Sequence, residues 1–180
     1  MSGAAQASVY FRRASHGDAL GIATTKVRSW QAAYRGLIPQ AYLDRLNPDE
    51  VALRAEKWIS ESVQEHHWVY EDSGSIGGWA CTTMPARDSE LNDETGEVVA
   101  IYLLPEFWGQ GIGDRLFQLC VQGLIEQGAT SIILWMLEGN EQAHRFYERQ
   151  GFTHDGQRKS LDLGGDVPLW EVRYLLQLTL

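Results

Sequence analysis

Apolar positions along this chain follow two periods. From Asp18 to Val63 they recur at helical spacing, and elsewhere they gather in short runs of β-branched and aromatic residues, as strands do. Val9 to Arg13 reads as a first short strand. Asp18 opens a helix whose apolar positions include Ile22, Val27, Trp30 and Tyr34, and Gly36 and Pro39 end it. Gln40 to Leu46 is a second, short helix. Asn47-Pro48-Asp49-Glu50 starts a third, with Asn47 as cap and Pro48 at the first helical position. That helix carries Val51, Leu53, Trp58, Ile59 and Val63. His67 to Glu71 and Gly77 to Met84 read as strands joined by the turn Asp72-Ser73-Gly74-Ser75. The polar stretch from Pro85 to Gly96, with Asp88, Glu90, Asp93 and Glu94, reads as a solvated loop.

Val98 to Leu104 is an apolar run suited to a buried central strand, and Pro105 ends it because proline brings no N–H to a ladder. A glycine-rich turn follows at Gly109, Gln110, Gly111, Ile112 and Gly113. Asp114 to Gln127 reads as helix, with Ile112, Leu116, Cys120 and Leu124 as an apolar stripe at steps of four. Ser131 to Leu137 is another buried strand. Asn140 starts a helix that runs to about Gln150 and is closed by Gly151. Phe152 to Leu163 and Pro168 to Leu178 are the last strands, turned through Gly164-Gly165-Asp166. This order predicts an α/β chain, a mixed sheet with helices on both faces.

Composition narrows the function classes. The chain has 180 residues, 44% apolar and 22% charged, which suits one domain over residues 8–180 behind a short disordered tail at 1–7. Fifteen basic against 24 acidic residues give a net charge of −9, which argues against general nucleic-acid binding; it is compatible with a cationic acceptor such as an amine, and more simply with a solvated acidic surface. Met1 to Ser8 lacks the basic and apolar regions of a signal peptide, and no apolar run has the length of a membrane span. Cys81 and Cys120 fall inside apolar segments, so buried free thiols in a reducing, cytoplasmic compartment are expected. The adjacent His66 and His67 face opposite ways on a strand, and no metal site is expected.

The strand, glycine turn and helix start at 98–114 place bare amides and the positive end of a helix at one point, which is how proteins bind anions. The turn alone fits a diphosphate site and a plain strand-to-helix connection equally. It is not a P-loop, and Asp114 stands where a dinucleotide fingerprint needs its third glycine.

A second motif resolves this. Trp108-Gly109-Gln110-Gly111-Ile112-Gly113 resembles the pyrophosphate loop of the GNAT superfamily of acetyl-CoA-dependent N-acetyltransferases, with Trp108 in place of the usual Gln or Arg. Asn140-Glu141-Gln142-Ala143-His144-Arg145-Phe146-Tyr147-Glu148-Arg149-Gln150-Gly151-Phe152 resembles that family's Asn-x-x-Ala-x-x-Phe-Tyr-x-x-x-Gly-Phe segment at every fixed position. The order of elements is similar over nearly the whole chain. The resemblance implies the GNAT fold: a twisted, mostly antiparallel sheet of six to seven strands, two of them splayed at the cofactor cleft. It implies direct transfer of acetyl from acetyl-CoA to a primary amine, more readily of a small molecule than of a protein, and admits a homodimer. The alternative is a catalytically silent CoA-binding sensor on the same fold.

The resemblance also assigns roles. Gly109, Gln110, Gly111, Ile112, Gly113 and Asp114 would hold the diphosphate through backbone amides. Tyr102, Leu103 and Leu104 would pair with the pantetheine arm as an added strand does. Asn140 would bind that arm, cap its helix, or do both. Tyr147 would donate a proton to the departing sulfur, or else be a packing aromatic. Glu97, eleven residues before Trp108, is the general-base candidate, against a plain strand-end acid. An amine of pKa near 10 must lose a proton at neutral pH, which costs about 4 kcal/mol. Trp30, Tyr34 and Trp79 are candidates for the acceptor wall, or for the core.

Overall fold

The computed structural model describes residues 9–163 and 168–178. The expected tail at 1–7 and the turn at 164–166 lie outside these. Twelve regular elements follow the predicted order. They are β1 (Val9–Arg13), α1 (Ala19–Ala33), α2 (Gln40–Arg45), α3 (Pro48–Glu61), β2 (Glu65–Asp72), β3 (Ser75–Thr83) and β4 (Thr95–Leu103). Then come α4 (Ile112–Glu126), β5 (Ser131–Leu137), α5 (Glu141–Arg149), β6 (Thr153–Leu161) and β7 (Leu169–Gln177). The strands form a seven-stranded sheet in the order β1-β2-β3-β4-β5-β7-β6. Every pairing is antiparallel except β4 with β5.

That exception organises the molecule. The parallel ladder joins Thr95, Glu97 and the residue between them to Ser131 through Ile133, and then stops. Beyond it β4 and β5 diverge, so one backbone edge of β4 from 98 to 103 has no sheet partner. In the same place β4 is bulged: Cys81 faces Ala100 while Thr82 faces Val98, which leaves Val99 as the extra residue. A bulge re-aims backbone groups and sharpens the strand's twist. Nothing in the residues of an apolar run announces it.

Helices cover both faces. Leu116, Phe117, Cys120 and Leu124 of α4 pack with Val98, Ile132, Leu134 and Phe152, and Phe146 of α5 joins them. On the other face Ile22 and Ala55, from α1 and α3, pack with Val69, Trp79 and Cys81. Two buried hydroxyls tie α1 to the strand ends: Thr25 Oγ1 donates to the Ile76 carbonyl at 3.0 Å and Ser29 Oγ to that of Leu103 at 2.8 Å. Asn47 caps α3 as expected, accepting from the Asp49 amide at 3.0 Å. Both cysteines are buried and unpaired.

Two departures from the sequence pattern matter here. Pro105 does not simply end β4; it opens a 3₁₀ turn, Pro105–Phe107, that delivers the chain to the glycine loop. The loop at 85–94 is solvated, as expected, with Glu90, Asp93 and Glu94 exposed, but it is also pinned at two points. Arg87 pairs with Glu97, and Asp88 pairs with Arg173, whose Nε also reaches Asp155 at 2.7 Å. The partners lie far off in sequence, so local polarity could not show them.

Candidate active site

The gap between β4 and β5 opens into a cavity of about 520 Å³. Its walls are Val98 to Leu103 of β4, Trp135 and Met136 of β5, the glycine loop, α5, and Ser29, Ala33 and Tyr34 of α1 and its end. The size is that of an ordinary small-molecule site.

The glycine loop is built for an anion. Gly109 and Gly111 have φ of 72° and 76°, the left-handed region in which a side chain is strained. A Cβ at either position would meet no protein atom within 4 Å, so the space above the loop is open. Gly111 is the N-cap of α4, and no side chain caps that helix. The first amides of α4 therefore face the cavity end without a protein acceptor, at the positive end of a 15-residue helix. These features fit a diphosphate. Asp114, in the first turn, accepts from Gln150 Nε2 at 2.6 Å and so ties α4 to the end of α5. Gln110 turns outward, its amide donating to the Glu106 carbonyl at 2.8 Å. Leu104 is buried and donates its N–H to Gly77 at 2.9 Å, and the Ile112 side chain packs into the core. Tyr102, Leu103, Gly109, Gly111, Gly113, Asp114 and Asn140 line the cavity.

Trp108 has a structural task at this position. Its indole Nε1 donates to the Leu103 carbonyl at 2.7 Å, clamping the loop to the end of β4. The same carbonyl receives Ser29 Oγ.

Asn140 caps α5, accepting from the Ala143 amide at 3.2 Å, and also lines the cavity. Tyr147, one turn of α5 beyond Ala143, presents its ring to the cavity and packs edge-on against Phe146 and Phe152. Burial of its hydroxyl pushes the phenol well above its usual 10.0, with the phenol of Tyr102 adding to the shift. Burial likewise raises Tyr34, helped by Tyr102, Tyr147 and Glu171, and it raises Tyr102. Three neutral phenols thus converge on the cavity, one each from α1, β4 and α5.

The structure moves three candidates away from the cavity. Glu97 is 2% exposed and is held by Arg87 through its main-chain amide, Nε and Nη2, at 2.9, 3.1 and 2.6 Å. Its carboxylate points at the 85–94 loop and does not line the cavity. Trp79 is 3% exposed, with Trp58 and His67 parallel to it at ring separations of 6.2 and 6.0 Å. It is a core residue of the α1–α3 face. Trp30 stands one layer behind the cavity, edge-on to Tyr34 at 5.0 Å and to Tyr102 at 6.4 Å. Of the three aromatic acceptor-wall candidates, Tyr34 lines the cavity.

Among the described residues, Glu65, His67 and Cys81 bring one potential metal-ligand atom each within 4.8 Å of one another. Spacing hid this, because the His67–Cys81 contact comes from the β2–β3 register. The donor set does not suit a cation. Trp79 Nε1 donates to His67 Nδ1 at 3.3 Å, so the ring's proton sits on Nε2, which lies 3.6 Å from the Glu65 carboxylate. A ligating histidine needs the reverse, a free lone pair on one nitrogen and a donor on the other.

Sequence reasoning missed Val99, Trp135, Arg145 and Arg149. The bulge is invisible in an apolar run. Trp135 was the one legible clue, a lone aromatic in the aliphatic Ser131–Leu137 strand.

Residues 27–152 match the acetyltransferase (GNAT) family. A Bacillus subtilis (strain 168) protein described as the uncharacterized N-acetyltransferase YuaI is 36% identical over 132 residues, 73% of each chain. An uncharacterized N-acetyltransferase of Archaeoglobus fulgidus is 30% identical over 125 residues, 69% of this chain and 82% of that one. Among solved structures, PaiA N-acetyltransferase from Thermoplasma acidophilum, crystallised with coenzyme A, superposes with a TM-score of 0.72 at 16% identity, covering 95% of this chain and 99% of that one. YncA from Salmonella typhimurium, a putative acetyltransferase with its cofactor acetyl-CoA, gives 0.68 at 19% identity, covering 96% and 95%. The chain belongs to the GNAT acetyltransferase family and is an N-acetyltransferase. Among the described residues, no helix is long and apolar enough to cross a membrane.

Proposed function

We propose that the protein transfers acetyl from acetyl-CoA to a primary amine of a small molecule, directly and without an acetylated enzyme. The observation that carries this is the alignment of an uncapped α4 N-terminus, an unpaired β4 edge and the Tyr147 phenol along one cavity.

The thioester supplies an activated acetyl group and a good leaving sulfur. The chain's residues supply the rest. Backbone amides from Gly109 to Asp114 bind the diphosphate. The free edge of β4 hydrogen-bonds the peptide-like arm as an added strand would, and Asn140 lies beside it. Backbone amides freed from the ladder by the Val99 bulge would polarise the thioester carbonyl. The amine nitrogen forms the new C–N bond as the C–S bond breaks. Tyr147 gives its proton to the sulfur and regains one from solvent, and the amine's proton leaves through water in the cavity. Glu97 has no part in this, because its carboxylate is held by Arg87 and does not line the cavity. A small acceptor fits a cavity of about 520 Å³ walled on the α1 side by Ser29, Ala33 and Tyr34. Two buried free thiols suit a reducing, cytoplasmic setting.

Release of CoA from acetyl-CoA with a panel of primary amines tests this reading. Turnover with at least one amine is expected. Tight CoA binding with no turnover for any amine would favour a silent sensor.

A further inference from the structure

One wall of the cavity, at Trp135, adjoins a group of side chains that the acetyl-transfer chemistry does not use. Trp135 lines the cavity, and Lys159 of β6 holds its ammonium 4.0 Å from the centre of the Trp135 ring. The same ammonium lies 3.5 Å from the Glu171 carboxylate. In the ladders Glu171 stands opposite Leu137 on one side and Lys159 on the other, and Arg173 stands opposite Trp135. Residues directly opposite in a ladder share a face, so Trp135, Glu171 and Lys159 form one group on the side covered by α1 and α2. Glu171 stands behind the cavity wall and is joined to Trp135 through the Lys159 ammonium that both contact. An indole face with a carboxylate beside it binds alkylammonium groups, and here the chain's own lysine shows the fit.

Arg173, the other cation near Trp135 at 5.7 Å, is taken by Asp88 and Asp155. Lys159 is not held so firmly. Its side chain is 45% exposed, and a surface pair of this kind is worth about 0–1 kcal/mol, so another cation can replace it.

This subsite does not suit the reacting nitrogen. A carboxylate stabilises an ammonium, and the nucleophile must be neutral to attack. It suits a charge elsewhere on the acceptor. We propose that Trp135 and Glu171 bind a second, non-reacting ammonium, and that the acceptor is therefore an alkyl diamine or longer polyamine rather than a monoamine. This rests on the amine-acceptor reading above and names its substrate class.

The test is calorimetric binding of 1,4-diaminobutane and spermidine, against n-butylamine, to the CoA-saturated protein, run beside the turnover assay. At least one polyamine should bind about tenfold or more tightly than butylamine, the scale of one added ion contact. In Glu171→Gln that ratio should fall toward one, and in Lys159→Ala it should rise, since the internal competitor is gone. A purely structural pair would not tighten binding when its lysine is removed. Equal binding of butylamine and both polyamines, or a preference that survives Glu171→Gln in protein with unchanged circular dichroism, overturns the proposal. Turnover of another amine with no polyamine binding overturns it while leaving the acetyl-transfer reading intact. Preferential polyamine binding with no turnover of any amine supports the subsite and sinks the acetyl-transfer reading instead.

Discussion

Arg87 closes on Glu97 from both backbone and side chain, and the carboxylate so held does not line the cavity. Glu97 is buried while the Arg87 side chain is 55% exposed, so the pair is partly screened. Glu97→Gln should lower unfolding stability by about 1–3 kcal/mol in urea, through weakened charged hydrogen bonds. Its kcat should stay within a few-fold of wild type. A loss of about 10²-fold or more in a folded variant would return Glu97 to the role of base.

Tyr147→Phe removes the proposed proton donor and keeps the ring packed on Phe146 and Phe152. The expected loss is about 10²-fold in kcat with little change in CoA affinity. The pH profile gives a second readout. Burial raises this phenol above 10.0, so it stays protonated and able to donate throughout neutral and mildly alkaline solution. The wild-type kcat should show no alkaline decline from this group below about pH 10. Wild-type kcat in the Phe variant would remove the acid role.

Trp108→Phe keeps an aromatic ring and deletes the bond from Nε1 to the Leu103 carbonyl. Ser29 still holds that carbonyl, so the strand end should persist while the loop loosens. One neutral hydrogen bond is worth about 1 kcal/mol, and CoA affinity should weaken about fivefold. Unchanged affinity by calorimetry would show that the clamp does not order the cradle.

Asp18 tests the base of α1 independently of catalysis. Its carboxylate receives two Arg12 donors at 2.7 and 2.8 Å and both the amide and hydroxyl of Ser15 at 2.7 and 2.9 Å. The Arg12 guanidinium, foremost, holds it below the usual 3.8, although burial opposes the shift. A carboxyl with a lowered folded value contributes its stability above 3.8 and loses it as pH falls through the folded value. Asp18→Asn should therefore cost about 1–2 kcal/mol at neutral pH, and the gap from wild type should close in acid. A constant gap in urea unfolding from pH 7 to about pH 3 would contradict this linkage.

Local patterning carried the fold far. The Ser131–Leu137 strand has its predicted bounds, and α5 has its Asn140 cap and its Gly151 closure, because period and caps are properties of neighbouring residues. The glycine loop and Tyr147 were legible as motifs, and both border the cavity. What escaped depends on register. The Val99 bulge, the Arg87–Glu97 lock, Trp79 parallel to Trp58, and Glu171 beside Lys159 each join residues from different elements. Spacing along the chain placed Glu97 near the chemistry, and only its three hydrogen bonds from Arg87 show where its side chain goes.

Wild-type protein crystallised with CoA gives the most direct measurement. The diphosphate oxygens should lie about 3 Å from the amides between Gly109 and Asp114, with the sulfur in the β4–β5 gap within hydrogen-bond reach of the Tyr147 hydroxyl. CoA bound elsewhere with that loop bare, or a sulfur remote from Tyr147, would contradict the proposed catalyst.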